Sequence, residues 1–506
     1  MKIIIKPFSE IMIKSKFVKK QYLKNLQKNI LRNLKELELK IEVVVFNDKL
    51  EVNYNSENEN DKKEIIKKLK FTIGIENFID VQDFQIEDDF LKDENPKRVF
   101  DFVFQKAKDF YLDKIKNKSF CVRVKRSGIH NFTSIDLEKY IGGGLKKFGE
   151  NANVKLKNPD LEIKIEVKDK KIFLVKEKYQ GIGGYPVGTQ DKVLSLISGG
   201  FDSGVSTFKM MKRGCKIDFL FFNLGGSAHE LGVKQVSRYI WKNFGMGYDS
   251  RFITIPFENV IKELLEKVDS RFRGILLKRY FLKIADKLAK KHGYLAIVKG
   301  DSLGQVSSQT LKNMNVIDKA SDTLVLRPLI GDDKQEIISI TKKIGTHDFA
   351  CNMPEYCGVI SDKPATGASL EQILEQEEKI DEKILDEAIE NGKIEFLKKI
   401  FAENLEGKQE IEISYLPAGN EVVIDIRDEE KIKKNPIHLE NTEILQIPFF
   451  NINNEFGKLD QSKTYLFYCD EGILSKLHGL YLKEKGFKNI KIFRFLKKGC
   501  EVKSGE

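Results

Sequence analysis

The sequence predicts a multidomain protein that combines α+β and α/β domains around a doubly wound parallel sheet. The chain has 506 residues, which is enough for about three or four domains. Strand and helix patterns alternate over residues 185–370, as expected for a parallel sheet with helices on both faces. Shorter mixtures of strand and helix patterns precede and follow this stretch, so we expect separate domains on both sides of it.

The first segment, residues 1–73, shows the order strand, helix, strand, strand, helix. These predicted elements are Lys2–Lys6, Phe17–Leu37, Ile41–Phe46, Lys49–Tyr54 and Asp61–Leu69. Asn47 and Asp48 are turn-forming residues, and they separate the two middle strands. The pattern is typical of a small ferredoxin-like α+β unit.

The positive charge of the chain is concentrated in one segment. The formal net charge is +11, and residues 101–190 hold 19 Lys and Arg against 11 Asp and Glu. Such a segment favours a polyanionic partner that is bound through its phosphates. A lysine-rich solvated surface is the alternative, and composition alone does not separate the two interpretations.

Within this basic segment the hydrophobic pattern predicts strands and one helix. Phe120–Arg126 alternates apolar and polar residues, as a half-buried strand does. Ser134 is the predicted N-cap of the helix, and Gly142–Gly144 is expected to interrupt it. Two further alternating runs, Leu161–Val167 and Lys171–Val175, predict two more strands.

The most informative motif is a turn between a buried strand and a helix, Ser198-Gly199-Gly200-Phe201-Asp202-Ser203. Its glycines let the backbone approach an oxyanion closely, and the start of a helix adds positive character. Asp202 places a carboxylate at the same turn, where it can hold Mg²⁺ or a reacting group. An ordinary turn explains the glycines but not the whole string, so the motif predicts nucleotide chemistry.

Two further polar loops follow predicted strands of the same sheet, Gly225–Glu230 and Lys299–Gln309. Because the loops after parallel strands meet at one edge of the sheet, we expect both loops to border the nucleotide. Plain surface turns are the alternative for either loop taken alone. Lys278 lies on a predicted helix, where a solvated cation is an equally good interpretation.

The last part of the chain contains a charged segment and a compact α/β unit. Glu371–Glu403 lacks proline and predicts a helical linker. Within residues 416–506, Cys469 stands between the strand pattern Lys463–Tyr468 and a helix pattern. Backbone N–H groups at such a turn lower the pKa of a thiol and favour its thiolate. A buried inert cysteine is the alternative.

Cysteine usage and hydropathy bound the class of protein. The chain has six cysteines without a C-x-x-C pair, which argues against a disulfide framework and a structural zinc site, so we name no residue as a ligand of a structural metal. No apolar stretch approaches the roughly 20 residues of a membrane span. The N-terminus Met1–Lys6 is too short and too charged for a signal peptide. We therefore expect a cytoplasmic protein with no membrane segment.

The motifs together resemble the PP-loop ATP pyrophosphatases and, more specifically, the tRNA 4-thiouridine synthetase family. The segments that carry this resemblance are Val193–Ser203, Phe222–Gly226, Leu303–Leu311, Asp322–Leu329 and Met353–Ser361. The segments that resemble the THUMP domain of that family are Cys121–Arg126, Ser134–Gly144 and Gly181–Pro186. The implied domains are ferredoxin-like (1–73), THUMP (74–178), PP-loop (179–370), a helical linker (371–415) and rhodanese (416–506).

The resemblance also implies roles for individual residues. The implied ATP contacts are Leu196, Ile197, Lys278, Gly300 and Gln309, together with Ser198, Gly199, Gly200 and Ser203 of the loop itself. Asp202 matches an aspartate needed for adenylation, and Lys334 matches a lysine that stabilises charge during activation. Cys469 matches a persulfide carrier, and Cys357 matches the thiol that resolves it. The candidate tRNA-binding residues are Arg123, Lys125, Arg126, Lys139, Lys146 and Lys147.

The reaction implied by the family converts uridine 8 of tRNA into 4-thiouridine. ATP, with Mg²⁺, adenylates the uridine O4, and a Cys469 persulfide loaded by a cysteine desulfurase supplies the sulfur. A reductant then clears a Cys357–Cys469 disulfide, and a thiamine sulfur-carrier protein is a further implied partner. Asp470 and Glu471 are acidic where some rhodanese loops carry a basic residue, which weakens any expectation of thiosulfate:cyanide activity.

Two alternative functions stay open at this point. One is a different PP-loop ligase that activates a small carboxylate, which leaves the basic segment and Cys469 without a role. The other is a non-catalytic RNA-binding module, against which the complete Ser198–Ser203 motif argues.

Overall fold

The computed structural model describes residues 1–400 except 57, 88, 91–94, 225, 352, 354–360 and 362. Beyond residue 400 it describes 411–427, 432–433, 435–439, 442–448, 451–469, 475, 478–479, 482–483 and 485–495. The chain forms two compact units. The first unit is Met1–Gln190 with Lys212–Gly214, and the second is Asp191–Met211 with Cys215–Glu506.

The first unit is built on one sheet. Its strands are β1 (Lys2–Pro7), β2 (Ile41–Val45), β3 (Leu50–Tyr54), β4 (Ile75–Gln85), β5 (Ser119–Ser127), β6 (Asn153–Val154), β7 (Leu161–Lys168) and β8 (Lys171–Gln180). Its helices are α1 (Ser9–Met12), α2 (Lys16–Leu34), α3 (Glu59–Lys70), α4 (Lys97–Ile115) and α5 (Ser134–Phe148). The eight strands follow the order β2-β3-β1-β4-β8-β7-β5-β6.

Strand β4 joins the two halves of this sheet. It was not among the predicted elements, although the five elements predicted over residues 1–73 all form close to their expected bounds. β4 pairs antiparallel with β1, where Ile79 faces Ile4, and with β8, where Val81 faces Val175. The sheet therefore continues across the boundary predicted after residue 73, and the domain bounds themselves stay predictions.

Helix α5 corrects two details of the sequence analysis. Its N-cap is Thr133 rather than Ser134, because the side chains of Thr133 and Asp136 each accept a hydrogen bond from the other residue's backbone N–H. The glycines 142–144 lie inside the helix instead of interrupting it. Gly144 is needed for close packing on α4, since a Cβ atom there would lie 2.4 Å from the ring of Phe104.

The second unit contains the predicted parallel sheet. Its strands are β9 (Lys192–Leu196), β10 (Lys216–Asn223), β11 (Arg251–Pro256), β12 (Ala296–Val298), β13 (Leu324–Leu326) and β14 (Lys393–Phe396). The helices around it are α6 (Phe201–Lys212), α7 (Gly226–Phe244), α8 (Glu258–Lys267), α9 (Arg273–His292), α10 (Leu311–Asp318), α11 (Lys334–Ile344), α12 (His347–Cys351), α13 (Leu370–Glu377) and α14 (Lys383–Glu390). The strand order is β13-β12-β9-β10-β11-β14, and all neighbours are parallel except β14.

Residues 370–396 do not form the single linking helix that the sequence analysis expected. They form α13, α14 and β14, and β14 adds an antiparallel edge strand beside β11. Ile373 and Leu385 are buried in the same apolar core as Leu276 of α9. Arg279 of α9 binds both carboxylate oxygens of Glu377 at 2.8 and 3.0 Å. Charge in this segment therefore reflects ion pairing against α9 rather than solvation alone.

A third sheet follows within the same unit. Its strands are β15 (Ile413–Ser414), β16 (Glu421–Asp425), β17 (Ile444–Gln446), β18 (Thr464–Tyr468) and β19 (Ile490–Phe493). They are all parallel in the order β15-β19-β18-β16-β17, with the short helix α15 (Ile452–Glu455) beside them. Among the described helices, none has the length and apolar composition that a membrane crossing requires.

Candidate active site

The Ser198–Ser203 turn, named the PP loop here, connects the end of β9 to the start of α6. The Ser198 N–H donates to Ser203 Oγ at 3.2 Å, and that hydroxyl donates to the Gly200 carbonyl oxygen at 3.2 Å. Gly199 has φ +84°, a conformation that favours glycine. These bonds hold a short turn at a helix N-terminus, where backbone N–H groups are available to an anion.

The loop after β12 packs directly against the PP loop. This follows from the sheet, because β12 and β9 are parallel neighbours and their carboxyl ends lie at one edge. A Cβ atom on Gly300 would lie 2.8 Å from the Asp202 carbonyl carbon and 2.9 Å from the Ser203 nitrogen. Glycine at this position is therefore required by the close approach of two backbones.

The Asp202 carboxylate receives two side chains from distant parts of the chain. Lys334 Nζ lies 2.9 Å from Asp202 Oδ1, and Gln305 Nε2 donates to Asp202 Oδ2 at 2.8 Å. Lys334 is the first residue of α11, whose N-cap is Asp333. The two residues proposed for adenylation by resemblance thus form one ion pair. The sequence analysis included Gln305 only as part of the polar loop Lys299–Gln309. The signal that could have identified it was an amide side chain in a loop of small polar residues.

The buried carboxylate of Asp301, in the loop after β12, lies close to three cations. Asp301 Oδ2 lies 2.9 Å from Lys299 Nζ and 3.0 Å from Arg327 Nε, and Lys278 Nζ lies 3.9 Å from Oδ1. Gln309 Nε2 donates to the same Oδ1 at 3.4 Å. Burial opposes the charge on Asp301, but Lys299 and Lys278 outweigh it and hold the pKa of this carboxyl well below its usual range.

Lys278 and Gln309 therefore meet at one carboxylate, beside the loop that carries Gly300. Leu196 is half-buried and Ile197 is buried at the end of β9, where the Ile197 N–H donates to the Leu220 carbonyl at 2.9 Å. All four lie around the carboxyl ends of β9 and β12.

The loop predicted at Gly225–Glu230 is mostly helical, because α7 begins at Gly226, and Gly225 itself lies outside the described residues. One residue of this stretch does reach the PP loop. His229 Nε2 lies 3.3 Å from the Ser198 carbonyl oxygen. Because an imidazole bonded to a carbonyl must donate, Nε2 carries the proton. Burial lowers the pKa of His229.

Cys469 lies directly after β18, at the carboxyl end of a central parallel strand. Its side chain is buried in the apolar core of the third sheet. The Ser475 N–H donates to Cys469 Sγ at 3.3 Å, and Sγ lies 3.4 Å from Ser475 Oγ. Cys469 and Ser475 are named the thiol site here. Cys357, Asp470 and Glu471 lie outside the described residues.

Two other cysteines, Cys121 and Cys215, are also buried. Burial raises the pKa of Cys215 to about 11 and also raises the pKa of Cys121. Both are therefore poor nucleophiles at neutral pH.

The sequence analysis also missed a buried ion pair at the edge of the sheet where Cys469 lies: Arg427 Nη2 bonds Asp425 Oδ2 at 2.7 Å. Asp425 lies beside Tyr468 in the parallel register of β16 and β18.

The six basic candidates lie on β5 and α5 of the first unit. Lys125, Lys139, Lys146 and Lys147 are exposed, as cations that bind phosphate must be. Arg123 is half-buried and lies 3.9 Å from Glu138, and its guanidinium also donates to the Leu156 carbonyl at 2.9 Å. Arg126 contacts His130 at 3.3 Å. The two arginines therefore already have protein partners, whereas the four lysines face solvent.

These arrangements define what each site can do chemically. The PP loop offers backbone donors at a helix N-terminus beside a paired carboxylate and ammonium, which suits a phosphate-bearing ligand. The thiol site offers a sulfur atom that accepts a backbone N–H, which suits an anionic sulfur. Within the described part of the chain, no group of three His, Cys, Asp or Glu side chains is arranged to hold a metal ion.

Comparison with family models assigns most of the chain. Residues 188–382 match the model described as thiamine biosynthesis protein (ThiI), and residues 2–78 match the ThiI ferredoxin-like domain. Residues 97–176 match the THUMP domain, and residues 413–501 match the rhodanese-like domain. The matches confirm the predicted fold class and the four kinds of domain.

Curated relatives match over the full length. A tRNA sulfurtransferase of Shigella dysenteriae is 45% identical over 494 residues, which cover 98% of this chain and 100% of the relative. A tRNA sulfurtransferase of Actinobacillus succinogenes is 45% identical over 493 residues, covering 97% of this chain and 99% of the relative. The similarity thus includes both the PP loop and the thiol site.

Two solved structures share the fold. The crystal structure of a 4-thiouridine synthetase–RNA complex with bound ATP has a TM-score of 0.66 and 25% identity, covering 78% of this chain and 99% of that chain. A protein from Pyrococcus horikoshii has a TM-score of 0.50 and 20% identity, covering 68% of this chain and 100% of that chain, and this likeness concerns the fold alone.

Proposed function

The chain belongs to the tRNA sulfurtransferase family, and we propose that it uses ATP and persulfide sulfur to convert uridine 8 of tRNA into 4-thiouridine. The ATP-bound RNA complex of a 4-thiouridine synthetase supports both ATP and tRNA as substrates. The observation that carries the proposal is the ion pair of Asp202 with Lys334 at the PP loop. It joins, across 132 positions of sequence, the two side chains to which we assign adenylation.

The first half-reaction takes place at the PP loop. The uridine O4 attacks the α-phosphorus of ATP, the bond to the β-phosphate oxygen breaks, and pyrophosphate leaves. Backbone N–H groups of Gly199 and Gly200 bind phosphate oxygens, and Lys334 neutralises the charge that grows on them. Asp202 orients Lys334. AMP is then a good leaving group at C4.

The second half-reaction uses the thiols. The terminal sulfur of a Cys469 persulfide attacks C4, the bond from C4 to the adenylated oxygen breaks, and AMP leaves. The Cys357 thiolate then attacks the Cys469 sulfur, which releases 4-thiouridine and leaves a Cys357–Cys469 disulfide. The sulfane sulfur is reduced as the two thiols are oxidised, so a dithiol reductant restores the enzyme. The Ser475 N–H is placed to stabilise the anionic sulfur of Cys469.

Several components of this cycle are proposed on the resemblance and on general chemistry. The tRNA is held through its phosphates by the exposed lysines of β5 and α5, and the sulfur donor is a cysteine desulfurase. Asp202 is the carboxylate that would hold Mg²⁺, and a bound ion would supply positive charge against the ATP phosphates. A role in thiamine synthesis through a sulfur-carrier protein is consistent with the matched family model. We place the activity in the cytoplasm, where tRNA is modified.

The test uses a strain from which the gene is deleted. Its bulk tRNA is digested and 4-thiouridine is measured by liquid chromatography and mass spectrometry. We expect 4-thiouridine to be absent from the deletion strain and restored by the intact gene on a plasmid. Unchanged 4-thiouridine in the deletion strain would refute the proposed function.

A further inference from the structure

Helix α7 touches the PP loop near its start and the rhodanese-like part of the same unit farther along. His229, in the first turn of α7, contacts the Ser198 carbonyl oxygen at 3.3 Å. Gln235, six residues later, contacts His478 at 3.1 Å between the two Nε2 atoms. A single helix thus links the nucleotide loop to the domain that carries Cys469.

The contact between Gln235 and His478 is buried and has a defined polarity. Gln235 is 7% exposed and His478 is 3% exposed. An amide nitrogen only donates, so the His478 Nε2 atom accepts and the imidazole is neutral with its proton on Nδ1. Removing a donor from a buried acceptor costs the full desolvation of that acceptor. The pair therefore favours one docked arrangement.

His478 is close to the thiol site in the sequence as well as in the fold. Ser475 and His478 both have helical backbone and are three residues apart in the sequence. Ser475 donates its N–H to Cys469 Sγ at 3.3 Å. Any shift of His478 on α7 therefore also moves the residue that binds the sulfur atom.

A second element makes the same connection independently. The ring of His347, at the start of α12, lies 5.7 Å from the ring of Phe201 at the start of α6. Phe349, two residues later, packs against the apolar core that contains Cys469. Its ring also lies 5.3 Å from Tyr239 of α7. α7 and α12 thus contact each other, the region of the PP loop and the core beneath the thiol.

We propose that α7 and α12 form a docking surface that holds the domain carrying Cys469 in a fixed position relative to the PP loop. Gln235 and His478 are then positioning residues for sulfur transfer. The inference rests on the proposed function, because it takes Cys469 as the persulfide carrier. We assign Gln235 and His478 a positioning role and not a catalytic one. Their effect is confined to the step in which the loaded carrier meets the adenylated uridine.

The test separates three steps in the full-length Gln235→Leu variant, which keeps the size of the side chain but removes the donor. The measurements are tRNA-dependent pyrophosphate release, labelling of Cys469 with ³⁵S from a desulfurase and cysteine, and single-turnover formation of 4-thiouridine by the loaded protein. We expect the third rate to fall about tenfold, as for the loss of one buried hydrogen bond. The first two stay at the wild-type level, which also shows that both domains are folded.

Controls make the result specific. Lys242→Gln changes an exposed residue of the same helix, and we expect wild-type rates in all three measurements. His478→Leu is expected to match Gln235→Leu, and the double variant to be no slower than either single variant, because both remove the same interaction. Cys469→Ser, measured in parallel, tests the carrier itself.

Two outcomes overturn the inference without touching the proposed function. One is a wild-type transfer rate in Gln235→Leu while Cys469→Ser is inactive. The other is an equal fall in all three steps of Gln235→Leu, which marks a structural role only. Retained thiolation in Cys469→Ser would instead overturn the carrier assignment, and the positioning inference with it.

Discussion

The PP loop and the thiol site share a local architecture but differ in their surroundings. Each follows the carboxyl end of a parallel strand, β9 in one case and β18 in the other. Around the PP loop, Asp202 binds Lys334 and the neighbouring Asp301 is surrounded by cations. At the thiol site, the described partners of the sulfur are a backbone N–H and a hydroxyl, within an apolar core.

Under the proposed function, this difference between the described surroundings matches two different chemistries. A phosphate ester carries charge that grows in the transition state, and fixed charges close to it are effective. A persulfide must attack as a nucleophile, and the nucleophilicity of sulfur falls as its pKa falls. Strong cations at the thiol site would stabilise the anion at the expense of its reactivity. Under the proposed function, the described neighbours of each site suit the reaction that we assign to it.

The largest effect is expected at the thiol site. Cys469→Ser removes the sulfur carrier, because a hydroxyl group has no sulfur with which to form a persulfide, so 4-thiouridine formation is abolished. Pyrophosphate release at the PP loop continues, since no described contact of Cys469 involves that loop. Isotope-labelled thiolation and pyrophosphate assays on one preparation measure both. Residual thiolation above the level of a no-enzyme blank would contradict the carrier role of Cys469, and a loss of pyrophosphate release would contradict the separation of the two sites.

The reciprocal change at the PP loop comes next. Asp202→Asn keeps the shape but removes the charge that pairs with Lys334, and we expect tRNA-dependent pyrophosphate release to fall about 10²–10³-fold, as for the loss of one preorganised electrostatic partner. Persulfide loading of Cys469 from a desulfurase stays unchanged. Asp191→Asn, which makes the same change at an exposed residue directly before β9, is the matched charge control. A parallel loss of loading would show that the two sites are not independent.

The ion pairs that Asp301 forms near the PP loop are expected to stabilise the folded protein. Asp301→Asn leaves three cations without their carboxylate, which costs about 3–5 kcal/mol. Because the folded pKa of Asp301 is lowered, its contribution is complete above the unfolded value of about 3.9 and is lost as the pH falls through the folded value. Urea titrations followed by the fluorescence of Trp241, the only tryptophan, measure the unfolding free energy. A variant as stable as wild type at pH 7 would contradict this assignment.

A smaller dependence of the unfolding free energy on pH is expected from His478, close to the thiol site. Burial lowers the pKa of His478 to about 4, against about 6.5 in an unfolded chain. The unfolded state therefore takes up a proton first as the pH falls, so stability is complete above pH 6.5 and decreases by roughly 3 kcal/mol down to pH 4. Hydrogen exchange of the β18 amides, corrected for intrinsic rates, measures this change. His478→Gln should reduce the slope, while His229, whose pKa burial also lowers, keeps its own contribution. An unchanged slope in that variant would assign the effect to another group.

Much of the fold followed from local patterns, and the failures have identifiable causes. Alternating and apolar runs placed the strands on either side of the PP loop and the strand that ends at Cys469. Gly142–Gly144 misled because glycine weakens a helix in isolation, whereas here Gly144 makes room for Phe104. Residues 370–396 appeared to be a linker because their charge is high, although Glu377 is paired with Arg279 in the core.

The sequence by itself determined the two reactive turns, because a strand, a glycine or thiol and a helix start lie within a few consecutive residues. Only the tertiary structure decided what surrounds them. Gln305 and Lys334 meet at Asp202 from positions 103 and 132 residues away, and Gln235 meets His478 across 243 residues. Such contacts depend on which strands are neighbours and how closely helices pack, and no local periodicity encodes that.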